Sequence, residues 1–323
     1  MKISRLHPDR PLPALVEQQE VTDLVAFAKA RRDEIRAACQ DHGALLFRGF
    51  DITTAAQFGD YCSALSSELL DYTERSTPRK SVEGKVYTST EYPPDKHIPL
   101  HCEMSYANKW PRLLWFYSHL AALEGGETPI CDAREVYRLI SPPIRERFVE
   151  KGGVMYLRNF RKGIDLPWQE VYGVTSEAEL EAYCQANGIG FEWKPGGGLR
   201  TRSVAQAVYR HPQTGEMAWF NQAHLFHVSS IEPAIRKLLV AKFKEEGLPR
   251  NSYYGDGTPI DDATLAEING AYAKAELAFP WQRGDVLMID NMLVSHGRRP
   301  FKGPRKTLVA MAEAYPAKRE QRA

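Results

Sequence analysis

The first part of the chain alternates between segments of helical periodicity and short apolar runs. Over residues 21–42, apolar side chains recur at the spacing of an amphipathic helix, and Gly43 follows as a residue that ends helices. Residues 44–50 form a short apolar run, which predicts a buried strand. Residues 53–70 are predicted as a second helix, whereas the polar, proline-rich residues 72–99 predict a long functional loop.

The remainder of the chain contains many short strands separated by turns. They do not alternate regularly with helices, which argues against a parallel sheet of βαβ units and favours a double-sheet jelly roll with flanking helices. Predicted strands lie at residues 112–120, 130–132, 154–160, 286–290 and 307–311, a hairpin at 204–220, and helical segments at 134–140, 176–187, 233–246 and 261–279, with Pro142 and Pro143 stopping the first of these.

These elements predict an α+β fold, mainly β, with a jelly-roll core. No linker divides the chain, so we expect a single domain over residues 1–323. Its helical N-terminal flank is expected at about residues 1–70, and its core at about residues 86–315.

The composition limits the kinds of molecule that the protein is expected to bind. The 323 residues are 43% hydrophobic and 26% charged, with a net charge of +1, so neither a nucleic acid nor an anionic membrane is an expected partner. The chain has no apolar run long enough for a transmembrane helix and no signal-peptide pattern. Its five cysteines are scattered, which predicts a reduced cytoplasmic protein without disulfides.

A candidate metal site begins at the tripeptide His101-Cys102-Glu103. On a strand, residues two apart point to the same face, so His101 and Glu103 would present two ligands together. A second histidine would complete the 2-His-1-carboxylate triad that holds Fe(II) and leaves positions open for a co-substrate and O₂. A solvated surface pair is the alternative interpretation of the tripeptide. Cys102 would face the opposite side as a small buried residue.

The later sequence offers a third ligand and a co-substrate anchor. Of the nine histidines, His296 has the best position, after a buried strand and before a glycine. Arg305 begins the next strand, where a guanidinium can form a bidentate pair with the distal carboxylate of a 2-oxo acid. Thr128 can donate a hydroxyl hydrogen bond to the same molecule. Taken alone, Arg305 is equally consistent with a surface cation and Thr128 with a turn residue.

The ordered series of these motifs over residues 43–311 resembles the taurine dioxygenase superfamily. Within it, the H-x-E motif is most similar to the clavaminate-synthase-like and syringomycin-hydroxylase-like branch. The resemblance implies a double-stranded β-helix (jelly roll), Fe(II), 2-oxoglutarate and O₂. It also implies that His101, Glu103 and His296 bind the iron, and that Arg305 and Thr128 bind 2-oxoglutarate. Arg298 and Arg299 lie close by and remain alternatives for the anchor.

The resemblance also bears on the reaction. Because Glu103 occupies the carboxylate position, no position is left for chloride, and halogenation is not expected. We expect hydroxylation of an amino acid, free or tethered to a carrier protein, in specialised-metabolite (antibiotic) biosynthesis, with desaturation or cyclisation as the alternative. Candidate substrate-binding residues are Tyr106, Asn159, Arg200, Arg202, Asn221, Gln222, His224 and Phe226.

Two other classes of protein remain open on sequence grounds. A zinc hydrolase can use two histidines and one glutamate. The helical H-E-x-x-H motif of such proteases is absent, and Arg305 would have no evident role in one. A catalytically silent jelly-roll binding module is the second alternative, and an intact triad beside an anchoring arginine argues against it.

Overall fold

The structure is a computed structural model that describes residues 1–18, 22–66, 68–72, 80–90, 92–163 and 166–316. The strands are β1 (Ile3–His7), β2 (Arg10–Glu17), β3 (Ala44–Arg48), β4 (Ser81–Glu83), β5 (Val86–Thr88), β6 (Ile98–His101), β7 (Lys109–Leu120), β8 (Glu124–Gly125), β9 (Ile130–Asp132), β10 (Val154–Phe160), β11 (Gly190–Lys194), β12 (Gly198–Ala205), β13 (Val208–Arg210), β14 (Met217–Trp219), β15 (Arg250–Tyr254), β16 (Val286–Asp290), β17 (Val294–Arg298), β18 (Phe301–Lys302) and β19 (Lys306–Pro316).

Helices lie between and before these strands. They are α1 (Leu24–Ala30), α2 (Arg32–His42), α3 (Ala55–Leu65), α4 (Ala133–Leu139), α5 (Pro142–Glu150), α6 (Trp168–Tyr172), α7 (Glu177–Asn187), α8 (Ala223–Phe226), α9 (Pro233–Phe243) and α10 (Asp262–Ala275), with a short 3₁₀ helix at Val228–Ser230.

The largest element is an eight-stranded sheet of order β1-β2-β3-β16-β7-β19-β5-β4. Its central strand β7 alternates between two cores: Trp115 and Tyr117 pack with helices α1 to α3, whereas Leu114 and Phe116 point to the opposite face. A three-stranded sheet of order β6-β17-β9 lies on that opposite face, where Ile130 and Val294 join the same cluster. The space between the two sheets therefore has one wall from β7 and another from β6 and β17.

The remaining sheet and hairpin belong to a third layer with a core of its own. The sheet β11-β12-β10-β15 and the hairpin β13-β14 share a core with α4, α5, α8 and α10. Among the described residues, none of the helices is both long and apolar enough to cross a membrane. All five cysteines are buried and unbonded, as the scattered pattern predicts.

The structure corrects the predicted N-terminal flank. Residues 1–17 form the β1–β2 hairpin, and β2 pairs in parallel with β3, so this part of the flank is strand and not helix. The predicted helix at 21–42 is divided into α1 and α2 at Arg31, and Val21 lies outside the described residues. The helix predicted at 53–70 is confirmed as α3, which is shorter and begins at a capping box built by Thr54.

Two further elements of local structure were not predicted correctly. The segment predicted as a loop at 72–99 contains β4, β5 and the start of β6; these strands have three or four residues each, too few for a visible alternation, and residues 73–79 and 91 lie outside the described part. The helix predicted at 134–140 is confirmed as α4, which ends before Pro142, but α5, which begins at Pro142, was missed. Proline is tolerated there because the first turn of a helix has no use for its missing N–H.

We predict an acid-sensitive contribution to stability from His227. Burial, reinforced by the charge of Arg236, lowers the pKa of His227 to about 4. As the pH falls, His227 is therefore protonated in the unfolded chain before it is protonated in the folded protein. The folded state loses stability as the pH decreases from the ordinary histidine pKa towards the lower pKa of folded His227. The loss is expected to be about 2 kcal/mol between pH 7 and pH 5. Urea unfolding is measured at pH 7 and pH 5. The loss of stability between the two pH values should be about 2 kcal/mol smaller in His227→Gln than in the wild type.

The matched control for this experiment is His42→Gln, which replaces a histidine that is only partly buried at the end of α2. We expect it to follow the wild type. An identical pH dependence in wild type and His227→Gln would contradict the prediction.

Candidate metal centre and co-substrate pocket

The two histidines of the predicted triad are cross-strand neighbours. His101 ends β6 and pairs directly with His296 on β17, and their ring centroids are 4.5 Å apart. Residues that face each other in an antiparallel pair project to the same side of the sheet. The Nδ1 atom of His101 lies 2.8 Å from the carbonyl oxygen of Pro99, which can only accept. The neutral ring thus carries its proton on Nδ1 and keeps the Nε2 lone pair for a metal.

The third candidate ligand is a buried carboxylate. Glu103 is 2% exposed, and its Oε2 atom lies 3.9 Å from Nε2 of His296. One ligand atom from each of His101, Glu103 and His296 lies within 4.8 Å of the others. Two imidazoles and one carboxylate are the donor set of non-haem Fe(II) oxygenases, so the residues present fit that metal. The hydroxyl of Tyr72 donates to Oε1 of Glu103 over 3.3 Å and orients the carboxylate.

The route by which Glu103 reaches this position differs from the prediction. It does not share a strand with His101, because β6 ends at His101 and Glu103 lies in the turn that follows. Met104, the next residue, has a left-handed φ of 56°, which few non-glycine residues adopt. Cys102 is fully buried, as predicted, with its sulfur 3.3 Å from the hydroxyl of Ser295.

Arg305 and Thr128 line the same cavity as the two histidines. Its empty volume is about 400 Å³, and Phe116 and Ser89 also contribute to its wall. The Arg305 guanidinium donates to the carbonyl of Gly126 over 2.9 Å and to the Ser89 hydroxyl over 3.4 Å. Burial, and then the charge of Arg298, lowers the pKa of Arg305 to about 10, so it remains a cation at neutral pH.

Thr128 is oriented for donation into this cavity. Its hydroxyl oxygen accepts a hydrogen bond of 3.1 Å from the indole N–H of Trp281, and the threonine is 3% exposed. A hydroxyl that already accepts one bond still carries its own proton. Thr128 can therefore donate to an oxygen of a bound molecule.

The other two arginines of this region make different contacts. The Arg298 guanidinium donates to the carbonyls of Tyr92, Pro93 and Lys96 over 2.9, 2.6 and 2.8 Å, and so braces the segment before β6. Arg299 pairs with Glu276 over 2.6 Å at the surface. Of the two arginines that line the cavity, Arg298 and Arg305, Arg305 donates to fewer backbone carbonyls.

Two of the predicted substrate-binding residues line a second cavity. Tyr106 and Phe226 have ring centroids 5.2 Å apart, and Tyr156 packs against both. Arg158, which is 7% exposed, also lines this narrow cavity. The sequence analysis missed Tyr156 and Arg158. Their signal was present in the alternation of Tyr156, Arg158 and Phe160 along β10, which puts an arginine on the side of two aromatic residues.

The remaining candidates are not brought to this cavity. Asn159 accepts from Arg200 over 2.9 Å, and both donate to the carbonyl of Glu246, so they brace a loop. Arg202 is exposed on β12. The side chain of Asn221 binds the backbone groups of Ala207 and Ala223, while those of Gln222 and His224 bind carbonyls of Cys102 and Leu100, respectively.

The comparison with known families decides the class. The sequence matches the Taurine catabolism dioxygenase TauD, TfdA family over residues 8–311. The chain belongs to this family. Dapdiamide synthesis protein DdaC of Enterobacter agglomerans is 47% identical over 281 residues, which cover 87% of this chain and 85% of that protein. A clavaminate synthase-like protein of Arabidopsis thaliana is 30% identical over 318 residues, covering 94% and 90%.

Solved structures agree on the fold. PvcB, an Fe, alpha-ketoglutarate dependent oxygenase from an isonitrile synthetic pathway, superposes with a TM-score of 0.55 at 16% identity, covering 94% of this chain and 88% of that one. AAD-2 in complex with Mn(II) and N-oxalylglycine gives a TM-score of 0.54 at 14% identity, covering 98% of both.

Family membership establishes the enzyme class. The protein is a 2-oxoglutarate-dependent non-haem iron dioxygenase, and its cofactors are Fe(II), 2-oxoglutarate and O₂. The resemblance inferred from the motifs is confirmed. Neither the zinc hydrolase nor the silent binding module is favoured by these relatives.

Proposed function

We propose that this dioxygenase hydroxylates an amino acid, free or tethered as an aminoacyl group to a carrier protein, in specialised-metabolite biosynthesis. The observation that carries the proposal is the convergence of His101, Glu103 and His296 within 4.8 Å of one another, with the two histidines lining a cavity that Arg305 shares. In this proposal the three residues hold Fe(II).

Each residue has a defined task. When bound, Fe(II) and 2-oxoglutarate activate O₂ to oxidise a C–H bond, with release of succinate and CO₂. Arg305 presents a planar cation to the distal carboxylate of 2-oxoglutarate, and Thr128 donates its hydroxyl proton to a co-substrate oxygen. Phe116, whose ring lies 4.8 Å from that of His296, keeps one wall of the cavity apolar and excludes water.

We further infer that the fold is a single-domain jelly roll. The eight-stranded sheet and the sheet of β6, β17 and β9 would be its two faces, with the ligands between them. The packing of Leu114 and Phe116 from one sheet with Ile130 and Val294 from the other supports this inference, because jelly rolls bury the inner faces of two sheets against each other.

The cavity of Tyr106, Tyr156 and Phe226 is the proposed substrate pocket. Tyr106 follows Glu103 by three residues, which puts the cavity next to the ligand turn. Support for the substrate class comes from the relative that is 47% identical, whose name assigns it to dapdiamide synthesis. Desaturation and cyclisation use the same cofactors and differ in the product.

A product assay tests this function. The enzyme is incubated with Fe(II), 2-oxoglutarate and each of two panels, free amino acids and carrier-bound aminoacyl groups. We expect a product that has gained one oxygen atom, formed together with an equal amount of succinate, for a member of one panel. A product that has lost two hydrogens would identify the desaturase or cyclase alternative.

Glu103→Ala is the control in this assay and should give neither oxidised product nor succinate. If the wild type forms succinate while no member of either panel is oxidised, the proposed substrate class is wrong and the dioxygenase assignment stands.

A further inference from the structure

Residues 100–103 include the two candidate ligands His101 and Glu103. The backbone of this segment is held by side chains from two distant parts of the chain. His224 donates through Nε2 to the carbonyl of Leu100 over 2.9 Å, and Gln222 donates through Nε2 to the carbonyl of Cys102 over 2.6 Å. Asn291, which follows β16, holds the backbone of Glu103. Three residues of this short segment, Leu100, Cys102 and Glu103, are thus held by side chains from outside it.

Asn291 makes the most extensive of these contacts. Its Oδ1 atom accepts from the N–H of Glu103 over 2.7 Å, while Nδ2 donates to the carbonyls of Glu103 and Pro111 over 2.9 and 2.8 Å. The side chain is fully buried. A carboxamide that binds both backbone groups of one residue acts on Glu103, beyond the end of β6, as a strand partner would. It therefore fixes the position and the direction of the peptide unit that carries the carboxylate ligand.

The left-handed backbone at Met104 explains why such support is needed. A non-glycine residue at a φ of 56° is strained and keeps this conformation only when its surroundings determine it. Glu103 immediately precedes Met104, so relaxation of this turn would move the carboxylate away from His101 and His296. Asn291 accepts from the N–H and Gln222 donates to the carbonyl oxygen of the peptide that joins Cys102 and Glu103, and both bonds oppose that relaxation.

Gln222 also connects the ligand turn to the second cavity. Its backbone N–H donates to the hydroxyl of Tyr156 over 2.9 Å, and the Tyr156 ring lines the cavity with Tyr106. The same residue thus contacts the wall of the proposed substrate pocket through its backbone and the peptide between the two ligands through its side chain.

We propose that Asn291 and Gln222 are positioning residues that hold the His101–Glu103 turn in its metal-binding geometry before the metal arrives. The inference rests on the proposed ligand set. It assigns to both residues a role in metal affinity, and it removes Gln222 from the residues that contact substrate. Outer-shell partners of metal ligands change affinity by about 10- to 100-fold when they are replaced.

The test is a titration of the metal-free protein with Co(II), followed by the visible absorption of the bound ion and checked by the metal-induced rise in melting temperature. Asn291→Leu keeps the side-chain volume but removes three hydrogen bonds, and we expect a dissociation constant higher by about 10- to 100-fold. Gln222→Met removes one bond, and we expect about a 10-fold increase. Both variants should also change the shape of the Co(II) absorption band, which reports ligand geometry.

Asn251→Leu is the matched control. Asn251 is also fully buried, accepts from the N–H of Val228 and donates to the hydroxyl of Tyr253, but no described hydrogen bond joins it to the ligand turn. It should lose stability and keep the wild-type Co(II) affinity and spectrum. Gln222→Met should fold, because the carbonyl of Cys102 keeps a hydrogen bond of 3.1 Å from the hydroxyl of Ser105. If Asn291→Leu does not fold, the Co(II) affinity of Gln222→Met decides whether the positioning inference holds.

The outcomes separate the two proposals. A wild type that does not bind Co(II), while Glu103→Ala behaves identically, overturns the proposed ligand set. Wild-type affinity and spectrum in the folded positioning variants overturn the positioning inference alone. An equal loss of affinity in Asn251→Leu also overturns it, because the effect would then follow general stability.

Discussion

Glu103→Ala is expected to reduce 2-oxoglutarate turnover below detection. The substitution removes the carboxylate of the proposed triad and leaves two neutral imidazoles to hold a divalent cation. Replacing an outer-shell residue already costs up to about 100-fold in metal affinity, and the loss of a direct ligand should exceed that. The measurement is succinate formation at fixed Fe(II), together with Fe(II) content after desalting.

A surface carboxylate provides the control for this experiment. Glu216→Ala removes the partner of Arg134 on the outside of the protein, 2.7 Å away, and should retain wild-type turnover and iron content. Succinate formation at the wild-type rate in Glu103→Ala would remove this residue from the metal site.

Arg305→Ala is expected to raise the KM for 2-oxoglutarate by about 100-fold, or about 2.7 kcal/mol. The buried guanidinium is the proposed partner of the distal carboxylate, which would otherwise enter the cavity without a counter-charge. Arg305→Lys keeps the charge but loses the planar fork, so its KM should lie between those of the wild type and the alanine variant. At saturating 2-oxoglutarate, kcat should change much less than KM.

Arg299→Ala is the matched control, because its guanidinium pairs with Glu276 at the surface. It should leave the KM unchanged. An unchanged KM in Arg305→Ala would move the anchor to Arg298, the other arginine at the cavity wall.

The candidate metal site was predictable because its members carry unusual chemistry in a recognisable order. Few residue types can serve as metal ligands, and His101, Glu103 and His296 are of these types. Arg305 follows His296 closely, so the ordered series identifies the family without a structure. The buried strands β10 and β16 were also predicted at their observed bounds, since seven and five apolar-rich residues in a row have few other structures available.

The residues around the site were less predictable because the type of a polar residue does not show which group it will hydrogen-bond. Gln222 and His224 were candidates for substrate binding, and nothing in the sequence singled out Asn291. Their hydrogen bonds join positions that are far apart in the chain, and nothing in the local sequence specifies which backbone group a carboxamide will meet. The N-terminal strands were missed for the same reason, since β2 is stabilised by pairing with β3 and by burial, not by its own pattern.

Residue type and order were enough to indicate the enzyme class, the three candidate ligands and the proposed anchor of the co-substrate. The folded structure showed how Glu103 reaches its neighbours, through a turn with a left-handed residue and not along a strand. It also decided which polar side chains face a cavity and which hold the ligand turn. Both depend on distances between segments more than 100 residues apart, such as Asn291 and Glu103, whose separation in the chain is 188 residues.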